Sequence, residues 1–454
     1  MKITKSSGVT KTENLLADLC EATFLKLWSY PNPYKDDGKE LCDLIAIFDN
    51  HIFIFFDREQ SAFQKKEKDI TLNWTRWKKE VVDKQIKTAI GAESYLLGKG
   101  KIFLDAKQQV PLPLLLPDHN LYIHKIIVAH GAKDACKDFS NENISGSLAI
   151  SYGEVLLDDS VPFSVELDKK DTIHLFDSEN IDLILKELDT VYDFKSYIVA
   201  KEKAIKELPF LIYSGEEDLL AYYFQDFDKA NECHYISPSN KSINGMQISQ
   251  GMWQSFSQSS AYVNRKKANK PSYLWDSIIQ QTAEYAFNGT LVGDMRVFSC
   301  EKSALFEMAK EPRVARRGLS DCIQESIENF SKSSFREMVF LPSYYPETGY
   351  IFLQLSKDDI AYDDYRVIRQ RMLDTACGVA KNKFPHLKKM IGIAVEPLKF
   401  NQRISTDFAL LLCEEWSSEK TRYYEEKNKD FEFFETTSLR ISEIKIQDFP
   451  QPTS

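Results

Sequence analysis

The sequence lacks most of the arrangements that announce a catalytic or metal-binding site. Its eight cysteines, at positions 20, 42, 136, 233, 300, 322, 377 and 413, form no C-x-x-C pair, which argues against a structural zinc site built on thiolates. Several stand in apolar runs, as Cys20 does in Leu-Ala-Asp-Leu-Cys and Cys413 in Leu-Leu-Leu-Cys. They are expected as buried free thiols in a reducing compartment. The seven histidines supply no H-E-x-x-H, and no G-x-S-x-G elbow is present. Gly98-Lys99-Gly100-Lys101 lacks the spacing and the Ser/Thr of a phosphate loop, so it reads as the turn after a helix. Long apolar runs are missing too. Ile52–Phe56 and Leu112–Leu116 fall far short of the roughly 20 residues a membrane span needs. The opening Met-Lys-Ile-Thr-Lys-Ser-Ser-Gly has no apolar secretion segment. The expectation is a soluble, cytoplasmic protein with no membrane partner.

Positive charge is also short: 58 Lys+Arg face 68 Asp+Glu, a net charge of −10. That excludes a protein that coats nucleic acid with its whole surface, though not one with a local basic groove. What remains is the material of a folded protein. The chain has 454 residues, 43% of them hydrophobic and 28% charged, with a mean hydropathy of −0.37. This suffices for about three domains and is far from a disordered composition.

Apolar spacing predicts a helix over 12–28, capped by Thr12, with Glu13 in its first turn. Two apolar runs, 41–48 and 52–57, joined by Asp49-Asn50-His51, read as a hairpin buried on both faces. A helix follows over 72–97, then strands near 101–104, 121–130, 147–151 and 172–176, and helix over about 179–207. This order predicts a mixed sheet flanked by helices over 1–210. Residues 211–270, polar and rich in Ser, Asn and Gln, read as a connector. A second α/β domain is expected over 271–454, with strands at 338–341, 350–355, 390–394 and 408–413 and a helix over 363–381.

Chemistry concentrates near the N-terminus. Glu13 lies on the first helix, Asp43 opens the first hairpin strand, and Asp57-Arg58-Glu59 ends the second. Carboxylates that converge on a divalent ion beside a cation are what metal-assisted phosphodiester hydrolysis requires. Elsewhere, His124 and His130 share a strand face by alternation. A metal is one use for them, and a satisfied strand-end position is the more ordinary one. Arg313, Arg316 and Arg317 cluster in Glu-Pro-Arg-Val-Ala-Arg-Arg-Gly, and Arg366, Arg369 and Arg371 sit on a helix. Guanidinium groups of this kind grip phosphate or pair with nearby acids.

The blocks Leu27-Trp28-Ser29-Tyr30-Pro31-Asn32-Pro33-Tyr34, Gly38-Lys39-Glu40-Leu41-Cys42-Asp43-Leu44 and Ile52-Phe53-Ile54-Phe55-Phe56-Asp57 resemble a bacterial protein family of unassigned function. That family is itself similar to the PD-(D/E)xK, or restriction-endonuclease-like, nucleases. The resemblance covers residues 10–130, with weaker continuity to 210. It implies a restriction-endonuclease-like mixed sheet and a Mg²⁺-dependent nuclease acting on DNA, in a setting such as antiviral defence. It matches Glu13 to the helix acid and Asp43 to the central aspartate, and it places Phe56-Asp57-Arg58 where E-x-K is expected. Phe56 and Arg58 depart from that motif, and arginine does not give up its proton as lysine can. Asp57 and Glu59 are then the carboxylates that could join Asp43 on a metal. Lys39, or Lys78, Lys79 and Lys84 on the following helix, could replace the lysine, and these helix lysines could also bind nucleic acid. The competing expectation is a silent nuclease fold that serves as scaffold or sensor with a protein partner or a second copy.

Overall fold

A computed structural model describes residues 8–60, 63, 69–114, 116, 120–140, 145–153, 161–228, 233–237, 245–288, 303–357, 360–400, 405–435 and 447–449. The chain is mixed α/β and divides into two compact units, Thr4–Ser259 and Ser260–Ser454. Among the described residues, no helix is long and apolar enough to cross a membrane.

The first unit opens with α1 (Lys11–Phe24). Its cap is Thr10 rather than Thr12. The Thr10 hydroxyl accepts the Glu13 N–H while the Glu13 carboxylate reaches back to the Thr10 N–H, a reciprocal capping box. Leu16, Cys20, Thr23 and Phe24 are the buried residues of α1. Next come β1 (Ser29–Pro31), β2 (Leu44–Phe48) and β3 (His51–Glu59). β2 and β3 form the expected hairpin, turning through Asp49 at φ 57°, a left-handed position that aspartate tolerates.

The connection onward is helical: α2 (Ile70–Trp77), a π turn over Lys78–Asp83, and α3 (Lys84–Leu97). It leads to β4 (Tyr122–His130), which runs parallel to β3, as a crossover through helix allows. After α4 (Lys133–Phe139), β5 (Ala149–Tyr152) and β6 (Ser164–Leu167), β7 (Ile173–Asp177) pairs parallel with β4. The main sheet therefore has the order β1-β2-β3-β4-β7. The helical stretch expected over 179–207 is two helices, α5 (Ser178–Glu187) and α6 (Val191–Glu207).

Alternation decides what each face of this sheet meets. Phe53 lies 5.0 Å from Phe24 of α1 and 5.4 Å from Phe194 of α6, ring centre to ring centre. Lys125, on the other face, reaches Glu93 of α3 at 2.5 Å. Helices thus cover both faces, and Ile52 to Phe56 are all buried, which explains the unbroken apolar run in the sequence.

Residues 211–270 are more than a connector. β8 (Leu211–Ser214) pairs with β5 in a second sheet, and α7 (Glu216–Gln225) is buried along most of its length. Residues 211–259 belong to the first compact unit. In the second unit the strands Arg336–Pro342, Thr348–Leu355, Lys389–Val395 and Thr406–Leu412 form one sheet in sequence order. The helix Tyr362–Lys383 makes the parallel crossover between the middle pair. Residues 447 and 448 are held by arginines of the same unit. Arg265 bonds Asp448 at 3.1 Å, and Arg317 bonds the carbonyls of Gln447 and Asp448.

Candidate functional site: a carboxylate cluster at the end of β3

Regular pairing of β2 with β3 ends at Leu44 opposite Phe55. One residue earlier, the Asp43 N–H donates to the Phe55 carbonyl at 3.0 Å. The Asp43 carboxylate then accepts the Asp57 N–H at 2.6 Å, so a side chain extends the ladder where the backbone has turned away. This fixes Asp43 against β3 and draws it into a partly buried position. Burial is the main cause that pushes its carboxyl up to about 7. The charges of Glu40, Glu13 and Asp57 add to the rise, while the Asp57 N–H opposes it. Glu40 is raised as well, by burial and then by Glu13. Acids from α1, from the segment before β2 and from β3 therefore act on one another.

Asp57 is 7% exposed. Its Oδ1 pairs with His130 Nε2, and Ser178 at the start of α5 holds His130 Nδ1 at 2.8 Å. The Trp77 indole N–H donates to the His130 carbonyl at 2.9 Å. The other oxygen, Asp57 Oδ2, is buried with no partner among the described residues. A bare buried carboxylate oxygen is costly, and a bound cation would relieve it. In the parallel register Asp57 lies beside Val128 and Glu59 beside His130. Asp57, Glu59 and His130 consequently share a face, with Glu59 exposed at the strand end.

The acids of this strand end thus stand one residue out of the E-x-K frame that the resemblance implies. Phe56, in the expected glutamate position, is 2% exposed and packs into the core. Arg58, in the expected lysine position, is exposed on the opposite face from Asp57. There its charge, with that of Lys79, acts on Glu80, so Arg58 is not brought to Asp43. Lys39 is not brought there either. Its side chain is 79% exposed and stands 3.6 Å from Asp37, and the charges that act most on Asp43 are all acidic. The Glu13 carboxylate caps α1, and its charge reaches Asp43.

Lys79 and Lys84 are exposed on the π turn and at the start of α3, Lys78 less so. Lys84 pairs with Glu80 at 2.5 Å. The arginine cluster of the second unit does not offer the surface expected of a phosphate grip. Arg313, Arg316 and Arg317 are 2%, 1% and 8% exposed. Arg313 and Arg316 both hold Asp276, Arg316 also bonds the Glu311 and Ala309 carbonyls, and Arg317 bonds Asn269. Arg366 and Arg369 likewise hold Asp407. Internal pairing, the alternative use of such clusters, is what these arginines do.

Two members of the site escaped the sequence. Glu40 stood in the Gly38–Leu44 block and could have been found as a second acid beside Asp43, and Ser178 carried no signal at all. His130, offered by the sequence as a metal residue or a satisfied strand-end residue, is 8% exposed and is satisfied by Asp57 and Ser178. His124 and His130 do share a face, yet six residues apart they serve different carboxylates, Glu202 and Asp57. Compared with known proteins, the chain matches no family model, no curated protein and no solved structure.

Proposed function

We propose that the first unit hydrolyses phosphodiester bonds of nucleic acid, DNA being the expected substrate, with a divalent cation of the Mg²⁺ class held by Asp43, Asp57 and Glu59. The observation that carries this reading is the pairing of a strongly raised Asp43 with a buried Asp57 whose Oδ2 has no partner among the described residues. All-oxygen donors suit a hard cation. When bound, the cation would supply a water of lowered pKa and neutralise charge on the phosphate. His130 holds Asp57 through Oδ1 and leaves Oδ2 without a partner among the described residues, and Ser178 fixes the His130 ring. The working step of two is then Asp57-x-Glu59 in place of Phe56-x-Arg58. Lys79 and Lys84 are the cations offered to the nucleic-acid backbone. A setting in antiviral defence rests on the resemblance alone.

The test is Mg²⁺- or Mn²⁺-dependent cleavage of plasmid, linear and single-stranded substrates. Wild type should cut at least one of them, while a folded Asp43→Ala variant should not. A second reading, an inactive scaffold or sensor subunit, draws support from Phe56 in the core and from the lack of any cation among the charges that act most on Asp43. A folded wild type that cuts none of these substrates with either metal would leave the scaffold reading standing.

A further inference from the structure

At the other end of β4, about 20 Å along the strand from His130, a second group of ligating side chains converges. His124 Nδ1 lies 2.8 Å from Glu202 Oε1, and His174 Nε2 lies 3.1 Å from the same oxygen. One ligand atom from each of these three residues falls within 4.8 Å of the others. Two adjacent parallel strands and α6 supply them, so rigid elements set the geometry. His124 and His174 are 1% and 0% exposed, while the Glu202 side chain is 31% exposed and gives the group its opening. His51 Nδ1 stands 2.9 Å from His124 Nε2, and the two rings stack within 5° of parallel. Phe53 stacks on His124 at 4.6 Å.

We propose that His124, His174 and Glu202 form a separate site for a zinc-class divalent transition metal, with His51 as the residue that positions His124. Two imidazoles and a carboxylate make a donor set that zinc takes and that magnesium does not favour. Ligand atoms around a tetrahedral zinc stand about 3.3 Å apart, so the two separations to Glu202 Oε1 need widen by only a few tenths of an ångström, and the two histidine ligand atoms start within 4.8 Å of each other. The protons can be followed. An ionised Glu202 carboxylate only accepts, so the two ring nitrogens that meet its Oε1 carry hydrogen, which leaves His124 Nε2 to accept from His51 Nδ1–H. On metal binding the His124 proton moves to Nε2, where it meets His51 Nδ1, and the His51 proton moves to its outer nitrogen. The His174 proton moves to Nδ1, which has no partner among the described residues. The exchange releases no proton.

The experiment titrates chelator-stripped full-length protein with Co²⁺ alone, then displaces it with Zn²⁺. One Co²⁺ per chain is expected, with the visible absorption of a four-coordinate ion and no thiolate charge-transfer band. Glu202→Gln and His174→Ala should weaken binding at least 100-fold. His51→Phe, which keeps the ring stack, should weaken it about 10–100-fold. Asp43→Ala should bind as wild type does, which separates this site from the carboxylate cluster. Should a variant fail to fold, nitrogen-15 histidine spectra of wild type give the same answer, because Zn²⁺ must convert His124 from the Nδ1–H to the Nε2–H form. A thiolate band, binding unchanged in Glu202→Gln, binding abolished by Asp43→Ala, or no tautomer change with Zn²⁺ would overturn the proposal.

Discussion

Replacing Asp43 by Asn isolates the strain in the carboxylate cluster. The amide has nearly the shape of a protonated carboxyl, and its oxygen can still accept the Asp57 N–H that now lies at 2.6 Å. Only the charge is removed. In the folded chain Asp43 titrates at about 7 against an ordinary 3.8. The folded state therefore holds a proton that the unfolded state has released across that interval. Stability falls as pH rises from about 4 to about 7 and stays low above it. At about 1.36 kcal/mol per pH unit, the rise corresponds to about 4 kcal/mol, an upper figure that solvent at the partly open edge reduces to about 2–4 kcal/mol. Urea unfolding of wild type and Asp43→Asn, with chelator present, should agree within about 0.5 kcal/mol at pH 3.5, where the unfolded chain also keeps most of its proton. At pH 8.5 the variant should be more stable by about 2–4 kcal/mol. Adding Mg²⁺ should close the gap by stabilising wild type alone, as any ligand of the native state does. A variant no more stable than wild type at pH 8.5 would refute the electrostatic account of the cluster, and the case for a cation with it.

Removing His130 should hurt in the opposite sense: His130→Ala leaves both oxygens of buried Asp57 without a protein partner and should cost about 3 kcal/mol in urea unfolding at pH 7. Rebuilding the motif in the sequence frame, as Phe56→Glu with Arg58→Lys, should not create activity. A carboxylate placed where Phe56 is 2% exposed should cost about 3 kcal/mol or more, read as a lowered unfolding midpoint with no gain in cleavage. Arg316→Met should lower stability by about 3 kcal/mol without changing DNA affinity. Lys79→Glu with Lys84→Glu should leave stability within about 0.5 kcal/mol of wild type, and should weaken DNA binding with a shallower salt dependence. Thiol reagents should label exposed Cys233 within the first minutes and leave buried Cys20 and Cys42 unmodified until the chain unfolds, since burial pushes both buried thiols well up.

The elements most legible in the sequence were those whose pattern has a single physical reading. The run Ile52–Phe56 could only be a strand covered on both sides, and helices do cover both faces of its sheet. The helix over 12–28 was misjudged at both ends for a local reason. Its true cap is decided by which hydroxyl meets the Glu13 N–H, and Leu25, at φ 65°, ends it before Trp28. The region 211–270 misled because polarity was taken for exposure. Glu216, Glu217 and Asp218 lie in a buried helix, where Glu216 neutralises Lys201 at 2.7 Å with both side chains fully enclosed. A sequence does not print such pairs, since the partners stand 15 residues apart. The arginines of 313–317 have the same character: Asp276, the acid shared by Arg313 and Arg316, is 37 residues or more away, and Asp448, which Arg317 meets, is 131 away.

The sequence already offers Asp43, Asp57 and Glu59 as acids that could share a cation, and strand geometry decides how each of them is held. Alternation alone places Phe56 and Arg58 on one face and Asp57 and Glu59 on the other. Which face carries the acids depends on where Asp43 points, and that is set by the ladder's irregular end, where Asp43 bonds Phe55 and Asp57 instead of pairing in register. No residue type in the sequence marks that end. The β2 ladder ends at Leu44 opposite Phe55, while the β4 side of β3 stays regular through Glu59. Regular pairing towards β4 is what brings His130 alongside Glu59 and within reach of Asp57. The same strand that buries Phe56 thus presents Asp57, so a packed Phe56 is no evidence by itself that the acids are idle. What distinguishes a working site from a silent one is whether Asp57 Oδ2 and Asp43 gain a common cation, and the pH and Mg²⁺ dependence of Asp43→Asn reads that without requiring any substrate to be known.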